Sequence, residues 1–354
     1  MAKEIALLPA FELFIADTIN GKRRLSNGRK ITVGTVKQYQ IVLQYLKEFE
    51  TTCNFPLRFI LGNTSSQRTY KAEKNYWLRF RRKLELYLQN THQCFDAYIA
   101  AVFKTIRTFI NYVKGEMGLN MLAFSKAFKA PDYTYRPVIL DNLQLSGLAC
   151  NQFLADHLSP KLKSSLDMFL VGCILGLRFS DLVQVQTGSL RKFDGRNFIE
   201  VTTLKTGDIV IIPLPAFAIE IIKRQPVQKN KTIFRPISLS NFNHHLKEIM
   251  ELAGYTAEAP KFRHKKGKLV EIRTKAGCRY RQCDHFSSHS MRRIAITSLL
   301  TMGVPELVVR KISGHAAGSK EFYRYVILAQ DYSNQEISRA QEKLFGKPSE
   351  PETL

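Results

Sequence analysis

The chain has 354 residues, enough for about two domains, each with its own core. It is 45% hydrophobic and carries a formal net charge of +23, which favours a polyanionic partner, nucleic acid before membrane. No apolar run reaches the ~20 residues that span a bilayer, and the N-terminus lacks a charged, apolar, small-residue progression, so a cytoplasmic protein without a membrane partner is expected.

Residues 1 to 130 hold 21 Lys and Arg against 9 Asp and Glu, the densest basic part of the chain. That is the charge of a module that grips a phosphate backbone. Apolar spacing predicts four helices here. They are marked by Phe11 to Ala16, by Val36 to Phe49 behind start signals at Thr32 to Thr35, by Tyr76 to Tyr87, and by Phe95 to Val113 closed by Gly115. Gly21-Lys22-Arg23-Arg24, Arg29-Lys30 and Arg79-Arg81-Arg82-Lys83 are its basic faces; any one tract alone reads equally well as solvated surface.

The stretch 131–137 has two prolines and no apolar period, which makes it a linker. Helices then continue through Leu143 to Leu154 and Leu162 to Leu177. Arg178 follows among apolar residues; a guanidinium buried without an anion is costly, and Asp181 is the bland partner for it. Phe198 to Thr203 and Ile209 to Ile212 alternate as strands of a hairpin with Lys205 at its tip, and Asp194-Gly195 adds an earlier turn and a third strand from Leu190. Helices at Phe217 to Lys223 and Phe242 to Leu252 precede a basic run, Lys261 to Arg281, read as a loop or ribbon along a phosphate backbone.

The six cysteines are read as free thiols of a reducing compartment. Cys278, Cys283, His285 and His289 imitate a zinc site, but the wide Cys pair argues against one. No cofactor and no metal are therefore implied.

His289 to Tyr325 is the stretch around which the chain is organised. Ser287 or Ser288 caps a helix that puts His289 and Arg292 on one face and ends at Gly303. Val304-Pro305 opens a second helix that stops at Ser313-Gly314 and delivers His315 from a turn. A third begins near Ser319 and carries Tyr323 and Tyr325, and a helix spans Asp331 to Phe345 ahead of a disordered tail, 346–354.

Arg178, Lys205, His289, Arg292, His315 and a terminal Tyr suit displacement at a phosphodiester. Guanidiniums hold the non-bridging oxygens, a mobile Lys protonates the leaving 5′ oxygen, His289 takes the nucleophile's proton, and His315 donates to the phosphate. A free phenol, with a reference pKa of about 10, needs cationic neighbours to act as nucleophile.

Arg178 in GLRFSDL, Lys205 in LKTGDIVIIPL, His289 and Arg292 in HSMRR, His315 in SGH and the later Tyr resemble, in this order, the tyrosine recombinase or phage integrase family, and bacterial mobile-element integrases within it. The resemblance implies a mainly α fold with a small antiparallel β-sheet. A helical core-binding (SAM-like) domain (1–130) and a linker (131–137) precede a mixed α+β catalytic domain (138–345).

It implies a bacterial, nucleoid-associated enzyme that cleaves and rejoins DNA through a 3′-phosphotyrosyl link, independent of metal and ATP, to integrate or excise a mobile element. Its partners would be double-stranded DNA core sites, further copies in a tetramer on DNA, and accessory bending or directionality factors. A resolvase or invertase of the same family, or a catalytically inactive DNA-binding relative, is the alternative. Too few residues precede the first helices for a separate arm-binding domain.

The family places its Tyr nine residues after the His of the Gly-His turn, whereas here that position is Arg324, with tyrosines at eight and ten. Two residues on a helix turn the side chain by about 200°, so one of the pair faces the phosphate. The Phe322-x-x-Tyr325-Val326 pattern selects Tyr325, leaving Tyr323 as the alternative. Arg293 is expected on a backbone phosphate or a carboxylate, and Asp181 behind Arg178.

Overall fold

The computed structural model describes residues 4–25, 27–61, 66–119, 124–131, 133, 135, 137–205, 207–316 and 318–345. The tail 346–354 lies outside them. The chain divides into two compact units, one formed by Met1–Tyr135 with Lys261–Ile272, the other by Arg136–Pro260 with Arg273–Leu354. Both are mainly helical, with small antiparallel sheets.

The first unit opens with β1 (Glu4–Ala6) and α1 (Leu7–Ile19), followed by α2 (Val33–Thr52), β2 (Arg58–Ile60), α3 (Gln67–Asn90) and α4 (Asp96–Gly115). The four helices fall where apolar spacing puts them, and Thr32 caps α2 by accepting from the Thr35 amide. Their inward faces are aromatic: Phe11, Phe14, Phe49, Trp77, Phe80 and Phe109 are fully buried, as is Phe59 of β2. Phe11 lies 4.5 Å from Phe109 and Phe49 5.7 Å from Phe80, so tilted ring contacts add to area burial. One expected basic face is partly spent inside. Arg23 is only 8% exposed, stacks on Phe14 and donates to Thr18 Oγ1, since its place beside the α1 end favours packing over solvation.

In the second unit come α5 (Asn142–Ala149), α6 (Gln152–His157), α7 (Pro160–Leu175) and the short α8 (Phe179–Leu182). The single helix expected over Leu143 to Leu154 is two, because Asn151 caps a new start by accepting from the Leu154 amide. Strands β3 (Leu190–Phe193), β4 (Arg196–Thr202) and β5 (Ile209–Leu214) form an antiparallel sheet in that order. Asp194 and Gly195 both take positive φ in the β3–β4 turn, as such a two-residue hairpin requires. Helices α9 (Ala216–Lys223) and α10 (Leu239–Leu252) follow.

The chain then leaves for the first unit as a hairpin, β6 (Lys261–Lys265) and β7 (Lys268–Ile272), before returning as α11 (Ser288–Thr301), α12 (Glu306–Ser313) and α13 (Lys320–Phe345). The hairpin occupies the front of the run read as a ribbon along phosphate. Its tip is held by protein: buried Asp96 accepts from the amides of Lys266 and Gly267 at 2.9 and 2.8 Å. Lys265 reaches Gln93 and Lys266 reaches Asn90, each at 2.8 Å. No helix among the described residues is long and apolar enough to cross a membrane.

The second unit's core surrounds α7, which is buried on nearly all sides: Phe169, Val171 and Leu175 meet Phe242 and Ile249 of α10, Ile199 and Ile212 of the sheet, and Met291 and Ile294 of α11. A smaller cluster of Ile296, Val309, Phe322 and Tyr325 seats α13 on α11 and α12.

Candidate active site

Close approach of α7 and α11 sets the site. A Cβ on Gly172 would overlap the Met291 side chain and stand 3.1 Å from Leu182 Cδ2, so a larger residue would have to push these side chains aside. One turn later Gly176 ends α7 in the left-handed region (φ 62°), and the chain turns through Leu177 to Arg178. The Gly176 carbonyl accepts from Arg292 Nη1 at 2.9 Å. Nη2 of the same guanidinium donates to the Ser313 carbonyl, so Arg292, 3% exposed, is fixed by two backbone oxygens from distant segments.

Arg178 acts electrostatically on Arg292, His289 and His315, and Arg292 also contacts His315 directly. Arg178 Nη1 is buried with no hydrogen-bond partner among the described residues. Desolvation, then the charge of Arg178, lowers the Arg292 pKa to about 10. Two crowded guanidiniums, one with a buried donor left unpaired, make a cationic environment suited to an anion.

His315 leaves the α12 end through Gly314, whose φ of 60° makes the turn. Its Nδ1 lies 2.8 Å from Ser313 Oγ, and Arg292 Nη2 is 3.2 and 3.3 Å from its two nitrogens. Desolvation and the charges of Arg292 and Arg178 lower its pKa to about 4. His289, on the first turn of α11, is exposed to solvent, yet partial desolvation, then the charges of Arg293, Arg292 and Arg178, lowers its pKa likewise to about 4. Both imidazoles are thus neutral at pH 7.

The two tyrosines of α13 separate as helical geometry requires. Tyr325 is 6% exposed, its ring 5.8 Å from that of His315, and its phenol is in polar contact with both Arg292 and Arg293. Tyr323 is 59% exposed. Arg310 braces this arrangement from behind, pairing with Glu306 and stacking on Phe322.

Lys205 stands exposed in the loop joining β4 to β5. Asp181 does not pair with Arg178 as expected: its Oδ1 accepts from the Leu204 amide at 2.9 Å, anchoring the loop beside Lys205. The incoming loop presents the Leu204 N–H to the carboxylate, and this contact takes the place of the expected ion pair. Arg293, expected on phosphate or a carboxylate, instead meets Tyr325, because Ile296 one turn on packs against the same α13 face.

Sequence reasoning missed Ser313, although a hydroxyl two residues before a turn histidine is a usable signal. Of the residues resembling a zinc site, His285 contacts the Ala259 carbonyl at 2.7 Å and Cys278 is exposed. Among the described residues, no three His, Cys, Asp or Glu side chains are grouped to hold a metal.

The profile of the phage integrase family matches residues 150–330, which contain every one of these side chains. The chain belongs to the phage integrase family. Two solved members share its fold. The Tn1549 transposon integrase in complex with circular intermediate DNA aligns at a TM-score of 0.52 and 12% identity, covering 91% of this chain and 95% of that one. A lambda integrase dimer bound to a COC′ core site aligns at 0.51 and 13%, covering 99% and 100%. No curated protein sequence matches.

Proposed function

We propose that this integrase-family protein is a site-specific DNA recombinase that joins or releases a mobile element through a 3′-phosphotyrosyl intermediate. The observation that carries this reading is the convergence of Arg178, His289, Arg292, His315 and Tyr325, drawn from four segments, around one guanidinium pair. Arg178 and Arg292 hold the two non-bridging oxygens of the scissile phosphate, where negative charge grows in the transition state. Tyr325 attacks phosphorus, and Lys205, on its anchored loop, protonates the departing 5′ oxygen. Rejoining reverses these steps with a 5′ hydroxyl from a second duplex, so the bond energy is retained and neither ATP nor metal is needed.

The basic helical unit grips the core site, and further copies complete a tetramer. A lambda integrase dimer on a core site and the Tn1549 transposon integrase on circular intermediate DNA have this fold, which supports the reading. The test is incubation in EDTA with nicked DNA carrying the joined ends of the encoding element. A denaturant-stable protein–DNA adduct is expected; tight binding with no adduct would leave a DNA-binding relative without catalysis.

A further inference from the structure

The hydroxyl of Ser313 has one hydrogen and several neighbours. Its Oγ lies 2.6 Å from the Val309 carbonyl, which can only accept, so the hydrogen is committed there. The 2.8 Å contact between the same Oγ and His315 Nδ1 therefore has Nδ1–H as donor. Were Nδ1 bare, either the carbonyl or the imidazole would face an oxygen lone pair at hydrogen-bonding distance. His315 is neutral, so a hydrogen on Nδ1 leaves Nε2 as a lone pair.

Resting on the recombinase reading, we infer that Ser313 is a positioning residue that holds His315 in the Nδ1–H tautomer, so that Nε2 takes the proton of the Tyr325 hydroxyl. The proton acceptor is then His315, in place of the His289 role expected from the sequence. The ring of His315 is 5.8 Å from that of Tyr325, while His289 has no contact with that ring among the described residues. In the free protein Arg292 Nη2 lies 3.2 Å from Nδ1 and 3.3 Å from Nε2, nearly equidistant and so in line with neither lone pair, which leaves Nε2 open to the phenol.

In the step, the Tyr325 O–H bond breaks and its proton moves to Nε2. The Oη–P bond forms, the P–O5′ bond breaks, and O5′ takes a proton from Lys205. The resulting imidazolium, now carrying N–H on both sides, donates to the phosphate. One residue thereby serves as acceptor first and as donor afterwards. The charged and titratable groups facing the ring are Arg292 from α11, Arg178 ahead of α8, Arg310 from α12, and Glu321 and Tyr325 from α13. Three cations against one carboxylate keep Nε2 bare until the phosphate dianion-like transition state arrives.

The test uses the full chain with ¹⁵N-labelled histidine, His315 being assigned by its loss in His315→Gln. Long-range ¹H–¹⁵N spectra are expected to show Nδ1 protonated and Nε2 bare between pH 6 and 8 (roughly two units above the shifted value). Ser313→Ala should mix the tautomers and slow single-turnover adduct formation about tenfold, the worth of one hydrogen bond. Ser313→Thr should restore both. A wild-type spectrum with Nε2 protonated, or one unchanged in Ser313→Ala while adduct formation falls, overturns the inference. A protein that forms no adduct at all sinks the recombinase reading and the acceptor role together, whereas adduct formation with Nε2 protonated sinks the acceptor role alone.

Discussion

Gly176 offers its carbonyl to Arg292 Nη1 at 2.9 Å, two residues before Arg178, so one glycine turn ties Arg292 to the segment that carries Arg178. The bond depends on how closely α7 meets α11. At Gly172 an added methyl would overlap Met291 and stand 3.1 Å from Leu182 Cδ2. Gly172→Ala is expected to destabilise the protein by about 1–3 kcal/mol, the usual cost of overpacking, read as a lower urea midpoint at unchanged slope. Adduct formation should fall by more than stability explains, because α11 carries Arg292.

Tyr325 and Tyr323 give opposite expectations. Tyr325→Phe should abolish the covalent adduct while DNA binding persists within about threefold, since one phenol hydroxyl adds under ~1 kcal/mol to binding. Tyr323→Phe should leave adduct formation near the wild-type rate. Reversal of the two results in a gel of denatured complexes would reassign the nucleophile.

Asp181 accepts from the Leu204 amide and so fixes the loop that carries Lys205. Asp181→Ala and Lys205→Ala should each slow cleavage, by about 10²-fold for loss of a general acid. A core site with sulfur at the bridging 5′ position has a leaving group that needs no proton, so it should rescue both variants. Failure to rescue Asp181→Ala, with Lys205→Ala rescued, would confine Asp181 to a folding role.

The histidines set an acid limit. His289 and His315 have pKa values lowered from 6.5 to about 4 in the folded protein, and burial lowers that of His245. A lowered folded value means that the unfolded chain binds more protons between pH 4 and 6.5. Their contribution to stability is therefore complete above pH 6.5 and is lost as pH falls through 4. Urea midpoints should drop between pH 7 and 5, and His315→Gln should flatten that slope; a midpoint flat with pH in the wild type would contradict the cationic crowding described above.

Much of this architecture was legible from residue order because it is written in local signals. Phe11, Phe14, Tyr39 and Leu46 recur at helical spacing and bury as expected, and Asp194-Gly195 makes the turn that such pairs make. Local signals end where partners are remote. The sequence placed Asp181 near Arg178 by proximity alone, whereas the Leu204 amide that captures it lies 23 residues on. Arg293 was equally illegible, since its partner depends on the rotation of α13 and no spacing within HSMRR encodes that. Tyr325 could be preferred over Tyr323 by pattern, but its burial against His315 is a property of the assembled α11–α13 cluster.

The Asp96 cradle has a consequence for synthesis. The helical unit needs Lys261–Ile272 to occupy that carboxylate, yet the 125 residues of Arg136–Pro260 are translated in between. At a ribosomal pace of about 5–20 residues per second, the first unit waits some 6–25 s before the two amides that donate to Asp96 are made. The nascent chain therefore completes its opening unit only after most of the second has emerged, and a ribosome stalled before Lys261 releases a fragment with an unfinished front half.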